Sequence, residues 1–304
     1  MLALAALAAL AACSSAAPSV LSSPSTSPSA AASTQSPAAS VAPSPTRPSP
    51  TRSSAARSAG PRPTHTAGSS GGGPLAAPPV VPGEPLSGRV IGIDPGHNGA
   101  NYTDPSFLNQ WIWNGRAMEH CDTTGTATNA GYSEALFTFN VSQYLRADLR
   151  SQGATVVMTR SSNSGVGPCV NTRAAIINAA HAAVAVDIHA DGGPPGGRGF
   201  AILEPVADGP NDAVIGSSAT FGSVLRSDFL TYTGMPVSSY DGVGGVQPRS
   251  DLAGLNLTTV PKVLIECGNM RNATDAALLT SSVFQRRAAA AIDAAIVAFI
   301  DGGR

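Results

Sequence analysis

Every aromatic residue of the chain lies at Tyr102 or beyond, and that boundary decides where a core can form. Residues 1–88 hold 15 of the 25 prolines and only five charged side chains: Arg47, Arg52, Arg57, Arg62 and Glu84. A segment so poor in large apolar groups cannot bury enough surface to offset its ordering entropy. Residues 14–88, rich in Ser, Pro, Ala and Thr, are therefore expected to be a disordered linker. Residues 89–304 are expected to fold as a single α/β domain with a sizeable core. The formal net charge is −1 and Lys262 is the single lysine, so no basic patch exists for nucleic acid. Apart from Leu2–Ala12 no long apolar run is present, which excludes a spanning helix elsewhere.

Leu2–Ala12 has the size of the apolar region of an export signal. It ends in Leu10-Ala11-Ala12-Cys13, which resembles the lipobox of bacterial lipoproteins. The resemblance implies that residues 1–13 form a signal peptide, with cleavage before Cys13 and a lipid on its sulfur. No Lys or Arg precedes the apolar stretch, which departs from the usual pattern. An export signal with an incidental Cys13 is the alternative. Either way the expected location is the cell envelope, with any membrane contact made through the lipid.

Beyond the linker, short apolar runs alternate with amphipathic stretches. Arg89 to Asp94, Ala154 to Thr159, Ala183 to Ile188, Gly199 to Glu204 and Lys262 to Glu266 read as strands. Helices are expected from the Ser133 cap to about Arg150, from Asn171 to Ala180, from Ser217 to Tyr232 and from Val283 to Ile300. In the first helix Leu136, Phe139, Tyr144, Leu145 and Leu149 are candidate core residues. The alternation implies a mostly parallel twisted sheet with helices on both faces. Ligands of such sheets bind beyond the carboxyl ends of the strands. His97 follows the first strand, His189 follows the third and Glu266 ends the fifth, so all three belong to one rim. Glu134, in the first turn of a helix, can reach that rim.

Two histidines and one carboxylate, with a fourth position left for water, form a common catalytic zinc set. Singly, each residue has an ordinary reading: His97 in a turn, His189 satisfied in the core, Glu134 at a helix N-terminus, Glu266 paired with an arginine. Their contexts add more. Asp94-Pro95-Gly96-His97, Arg160 after Val156-Val157-Met158-Thr159, Asp187-Ile188-His189-Ala190, and Leu264-Ile265-Glu266-Cys267-Gly268 with Asn272 occur in this order. Together they resemble the zinc-dependent N-acetylmuramoyl-L-alanine amidases of the Amidase 3 type, most of all the mycobacterial and actinobacterial cell-wall members. The resemblance spans Arg89 to Ile300. It implies one Zn2+ held by His97, Glu134 and His189, with Glu266 as the catalytic carboxylate. The implied substrate is peptidoglycan or its muropeptide fragments, cut between N-acetylmuramic acid and L-alanine. Another zinc peptidase or deacetylase, or a silent wall-binding or regulatory lipoprotein, are the competing readings; a silent relative would be expected to lack Glu266. A monomer is expected.

Several features lie outside the resemblance or depart from it. Asp191 stands where relatives often carry Asn. The 36 residues between His97 and Glu134 form a long insertion bearing Trp111, Trp113, His120 and Cys121, expected as a flap or hairpin beside the cleft. His120 is a rival ligand, and His181 reads as structural. Arg173, Asp191 and Arg249 are candidate substrate contacts, Arg160 and Arg173 being equally suited to anchoring structure. Gly242 to Leu255 is expected to line the cleft, and the Gly192 to Gly197 stretch reads as a turn, since its two prolines lack the N–H groups of a phosphate cradle. Cys267 flanks Glu266 on a buried strand; Cys121 and Cys169 are in loops and are expected to pair in an oxidising compartment.

Overall fold

The computed structural model describes residues 83–302. The expected leader, the Cys13 lipidation site and nearly all of the expected linker lie outside them. The chain enters the fold slightly before residue 89: Leu86 is fully buried in the main core, and its N–H donates to the Gln152 carbonyl at 3.0 Å.

The order of elements is β1 (Val90–Pro95), α1 (Pro105–Leu108), β2 (Trp111–Trp113), β3 (Met118–His120), α2 (Glu134–Ser151) and β4 (Thr155–Met158). Next come α3 (Val170–Ala179), β5 (Val184–His189), β6 (Ala201–Pro205), α4 (Ile215–Thr233) and β7 (Val246–Arg249). The chain closes with α5 (Ala253–Asn256), β8 (Lys262–Glu266), α6 (Ala273–Leu279) and α7 (Ser282–Gly302). Six strands form one sheet in the order β4-β1-β5-β8-β6-β7, and β2 and β3 form a separate antiparallel hairpin. β4, β1, β5 and β8 run parallel, while β6 is antiparallel to β8 and parallel to β7. The sheet is thus mostly parallel, as the alternation implied. Strand β7 was not expected; Val246-Gln247-Pro248-Arg249 has neither an apolar run nor alternation to announce it, and Pro248 suits an edge strand.

One face of the sheet is thick. Ile91 and Ile93 of β1, Val184, Val186 and Ile188 of β5, and Val263 and Ile265 of β8 join one core with α2, α4 and α7. In α2 the buried stripe is Phe137, Val141, Leu145 and Leu149, a strict four-residue spacing. This corrects part of the expected stripe, since Leu136 is 36% exposed and Phe139 is half-buried under the Arg160 guanidinium, 4.9 Å from its ring. The buried Glu134 sets the phase: it must face the rim, and residues three and four ahead of it turn inward with it.

The other face is thin and charged. Gly92 and Ala185 present almost no side chain there, and a Cβ on Gly92 would lie 2.6 Å from Cδ1 of Ile177 in α3. Beside them Asp94, Asp187 and Lys262 point to the same side, with Arg173 reaching down from α3. Lys262 is 1% exposed; its Nζ lies 2.8 Å from Asp94 Oδ2 and 3.3 Å from Asp187 Oδ2. Arg173 Nη1 lies 3.2 Å from Asp94 Oδ1, and Thr159 Oγ1 donates to the same oxygen at 2.6 Å. Burial would raise the Asp94 carboxyl, but Lys262 and Arg173 outweigh it and hold the group well below the usual carboxylate range.

Removing one partner from such a cluster strands a buried charge. Lys262→Met is expected to cost about 3–5 kcal/mol in urea unfolding; a loss below about 1 kcal/mol would show that the network does not carry the fold. A second titration concerns Asp293 of α7, whose two carboxylate oxygens each accept from Gln152 Nε2 at 2.7 Å. Burial raises this group from 3.8 to about 6, with the charge of Asp148 adding to it and Gln152 opposing. A carboxyl raised in the folded state takes up a proton on folding, so its penalty appears as pH rises from about 4 through 6 and is complete above. Asp293→Asn is therefore expected to be more stable than wild type at pH 7, by about 1–3 kcal/mol, and not at pH 4. Parallel urea midpoints at both pH values would refute this.

Candidate metal centre

β1 ends in Asp94-Pro95, and after Gly96 the chain turns so sharply that His97 takes a left-handed backbone, φ 58°. A non-glycine residue held there needs support from its surroundings. The His97 carbonyl accepts from Arg173 Nη2 at 2.8 Å. Gly96 gives the close approach: a Cβ there would lie 2.3 Å from Cε1 of the His189 ring. His189 ends β5, level with Glu266 at the end of β8, since the two are partners in the strand register. Glu134 enters from α2, capped by Ser133. Arg160 ties the two halves together, donating to the carbonyls of Pro95 at 2.9 Å and Ala135 at 2.9 Å.

His97, Glu134 and His189 meet with one ligand atom each, all within 4.8 Å of one another. His97 Nε2 lies 3.3 Å from Glu134 Oε2, and His189 Nδ1 lies 2.9 Å from Glu134 Oε1. The two imidazoles thus approach different oxygens of one carboxylate, close enough for a single ion to reach all three side chains. Two imidazole nitrogens and one carboxylate oxygen are a donor set that a borderline divalent cation accepts. The residues present thus fit a metal ion.

Each imidazole is oriented from behind by a carboxylate. Asp122 Oδ1 lies 3.2 Å from His97 Nδ1, and Asp187 Oδ1 lies 3.2 Å from His189 Nε2. Such partners fix the ring tautomer and raise the basicity of the ligand nitrogen. The carboxylates are themselves held: Asp187 by Lys262, and Asp122 by Arg173 Nη2 at 3.1 Å. Burial opposes charge on both imidazoles, yet the Glu134 and Asp122 carboxylates raise His97 to about 9, and Asp187 and Glu134 raise His189 well above its ordinary value. Burial would raise Glu134 too, but the two imidazoles pull it well below the carboxylate range. A cation entering the site must displace these protons, because ligating imidazoles are neutral.

Glu266 shares a cleft of about 400 Å³ with the three ligand candidates, Asp191 and Arg249. Its Oε2 is buried and has no hydrogen-bond partner. Burial, then the Glu134 and Asp191 carboxylates, push the group up to about 8 against the pull of His189. Asp191 caps the turn at Gly192, accepting its N–H at 2.6 Å, and Gly197 N–H to Pro194 carbonyl, 2.9 Å, closes the expected turn. Arg249 pairs with Asp251 at 2.7 Å on the open side. Arg173 is placed differently: it is 3% exposed, and its donors serve Asp94, Asp122 and the carbonyls of Pro95, His97 and Pro168. It holds the site from beneath.

His120 stands apart from the ligand cluster, stacked on Trp111. His181 is exposed after α3. Cys121 and Cys169 form a disulfide, and Cys267 is buried as a free thiol. Sequence reasoning left Asp187 and Asp122 without a task. Asp187 was findable, since a residue two before His189 on a strand shares its face; nothing local marks Asp122.

The family model described as N-acetylmuramoyl-L-alanine amidase, Amidase_3, matches residues 91–298. N-acetylmuramoyl-L-alanine amidase Rv3717 of Mycobacterium tuberculosis is 39% identical over 216 residues, covering 71% of this chain and 88% of that protein. The crystal structure of the amidase Ami1 from Mycobacterium smegmatis superposes with a TM-score of 0.68 at 41% identity, over 71% of this chain and 99% of that one. Apo Ami1 from Mycobacterium abscessus gives 0.66 at 42% identity, over 70% and 99%. With the rim residues and the cleft arranged as described, the chain belongs to the Amidase_3 family of N-acetylmuramoyl-L-alanine amidases.

Proposed function

We propose that this protein is an exported zinc amidase that hydrolyses the bond between the lactyl carbonyl of N-acetylmuramic acid and L-alanine in peptidoglycan. The observation that carries the reading is the unpartnered Glu266 Oε2 in the same cleft as a two-histidine, one-carboxylate cluster. Zinc held by His97, Glu134 and His189 would supply a Lewis acid for the scissile carbonyl and a water made nucleophilic near neutral pH. The rest falls to the chain. With the charge of a bound cation drawing its carboxyl back down from about 8, Glu266 Oε2 takes the proton of the attacking water as the new C–O bond forms. It then delivers that proton to the alanine nitrogen as the C–N bond breaks, so the stem peptide leaves with a free amine. Asp122 and Asp187 keep both imidazoles aimed, and Arg249 with Asp191 at the open side of the cleft meets the polar stem peptide. The disulfide fits a compartment outside the reducing cytoplasm. No helix among the described residues is long and apolar enough to cross a membrane.

Glu266→Gln, which keeps shape but cannot take a proton, is expected to lower kcat about 10²–10⁴-fold with zinc content unchanged. Release of stem peptides beginning with L-alanine from muropeptides is the readout, and wild-type rates in the variant would remove Glu266 from the reaction. His189→Ala is expected to lose the ion. Asp122→Asn and Asp187→Asn are expected to keep it with affinity weakened about 10–100-fold. Competition with a chromogenic chelator measures all three, and unaltered affinity in both Asn variants would contradict the orienting role.

A further inference from the structure

The long insertion before α2 carries a surface that the hydrolytic site does not use. In the β2–β3 hairpin Trp111 pairs with His120 and Trp113 with Met118. Opposed residues share a face, as do residues two apart, so these four side chains form one surface. It is exposed: Trp111 by 62%, Trp113 and Met118 by 53% each. The Trp111 indole stacks on the His120 imidazole, 4.3 Å between centroids and 29° between planes. The other face turns inward through Ile112 and Glu119, whose Oε2 accepts from Asn114 Nδ2 at 2.9 Å.

The hairpin is also fixed at both ends. At its base the Cys121 N–H donates to the Gln110 carbonyl at 2.8 Å, and Cys121 is bonded to Cys169. At its tip Asn114 Oδ1 accepts from the N–H groups of Arg116 and Ala117, and Arg116 Nε lies 2.9 Å from Asp208. Large indoles held rigidly in water are a preorganised contact surface.

Its position and chemistry narrow the occupant. His120, at the base of this face, lines a cavity of about 360 Å³ that also touches His97 and His189, so the aromatic face borders the candidate metal centre at that end. The face carries no carboxylate and no free cation, Arg116 being engaged by Asp208. An extended peptide would need charged or backbone partners that the face does not offer, and an anionic membrane would need a basic rim. A pyranose ring presents a flat C–H surface to an indole and keeps its hydroxyls at the wet edge. We propose that the Trp111–Trp113–Met118–His120 face binds the glycan strand of peptidoglycan, seating N-acetylhexosamine rings next to the muramoyl unit being cut. This rests on the amidase reading, and it puts the sugar on the hairpin side of the scissile bond and the stem peptide on the Arg249 side.

The two tryptophans of the chain both lie on this face, so indole emission from the full-length protein reports on it alone. Titration with chitohexaose, a peptide-free β-1,4-linked N-acetylglucosamine hexamer, is expected to give a saturable change. Trp113→Ala, read through Trp111, is expected to weaken binding by about tenfold, and Trp113→Phe to restore most of it. Matching urea midpoints establish that the variants are folded. No saturable change in wild type, equal affinity in Trp113→Ala, or a response only to anionic phospholipid vesicles or to rising protein concentration would each overturn the proposal. Hydrolysis of N-acetylmuramoyl-L-alanyl-D-isoglutamine by wild type separates the two readings. Cleavage without sugar binding defeats the glycan surface alone, and sugar binding without cleavage defeats the amidase assignment.

Discussion

One ammonium group buried between two carboxylates governs both the fold and the candidate site. Lys262 Nζ bridges Asp94 of β1 and Asp187 of β5 across three adjacent strands, and the lysine is 1% exposed. Placing charges in a low-dielectric interior is unfavourable unless each is paired and hydrogen-bonded. Here the excess negative charge is shared with Arg173, which links Asp94 to Asp122. The cluster therefore ends on two carboxylates whose remaining oxygens face the imidazoles of His189 and His97. Sheet packing and ligand aim are one arrangement, which is why the thin face of the sheet carries charge where an ordinary one would carry valine.

Much of this was legible in the chain. The apolar runs of β1, β5 and β8 are buried on both faces and announce themselves, and the residues after them fall at one rim by topology alone. Glu134 could be placed because a capping serine precedes it. The helix phase was read less well: Leu136 and Phe139 look like core residues by composition, but the demand that Glu134 face the rim rotates Phe137 and Val141 inward instead. Edge strand β7 has neither an apolar run nor alternation, and the three-residue strands of the hairpin are too short for any period to show. Asp122 was invisible because its role depends on tertiary placement, through Arg173 and the neighbouring disulfide, and not on any local pattern.

The same asymmetry separates the two sides of the cleft. Arg249, Asp191 and Glu266 line the more open cavity, whereas Val170, His120 and Arg173 line the more enclosed one, and Leu252 and Leu264 border both. His97 and His189 line both cavities, so the candidate ligand cluster sits where the two join. Rigidity is concentrated on the enclosed side, where the hairpin is held at base and tip.

Gly96 bears no functional group, yet the His189 ring occupies the space that any side chain there would need. Substituting it, even with alanine, forces either the loop or the imidazole to move. In a comparison of homologous sequences this position should tolerate as little drift as the ligands themselves, and a chain that retains both histidines but replaces this glycine would be a candidate for lost metal affinity.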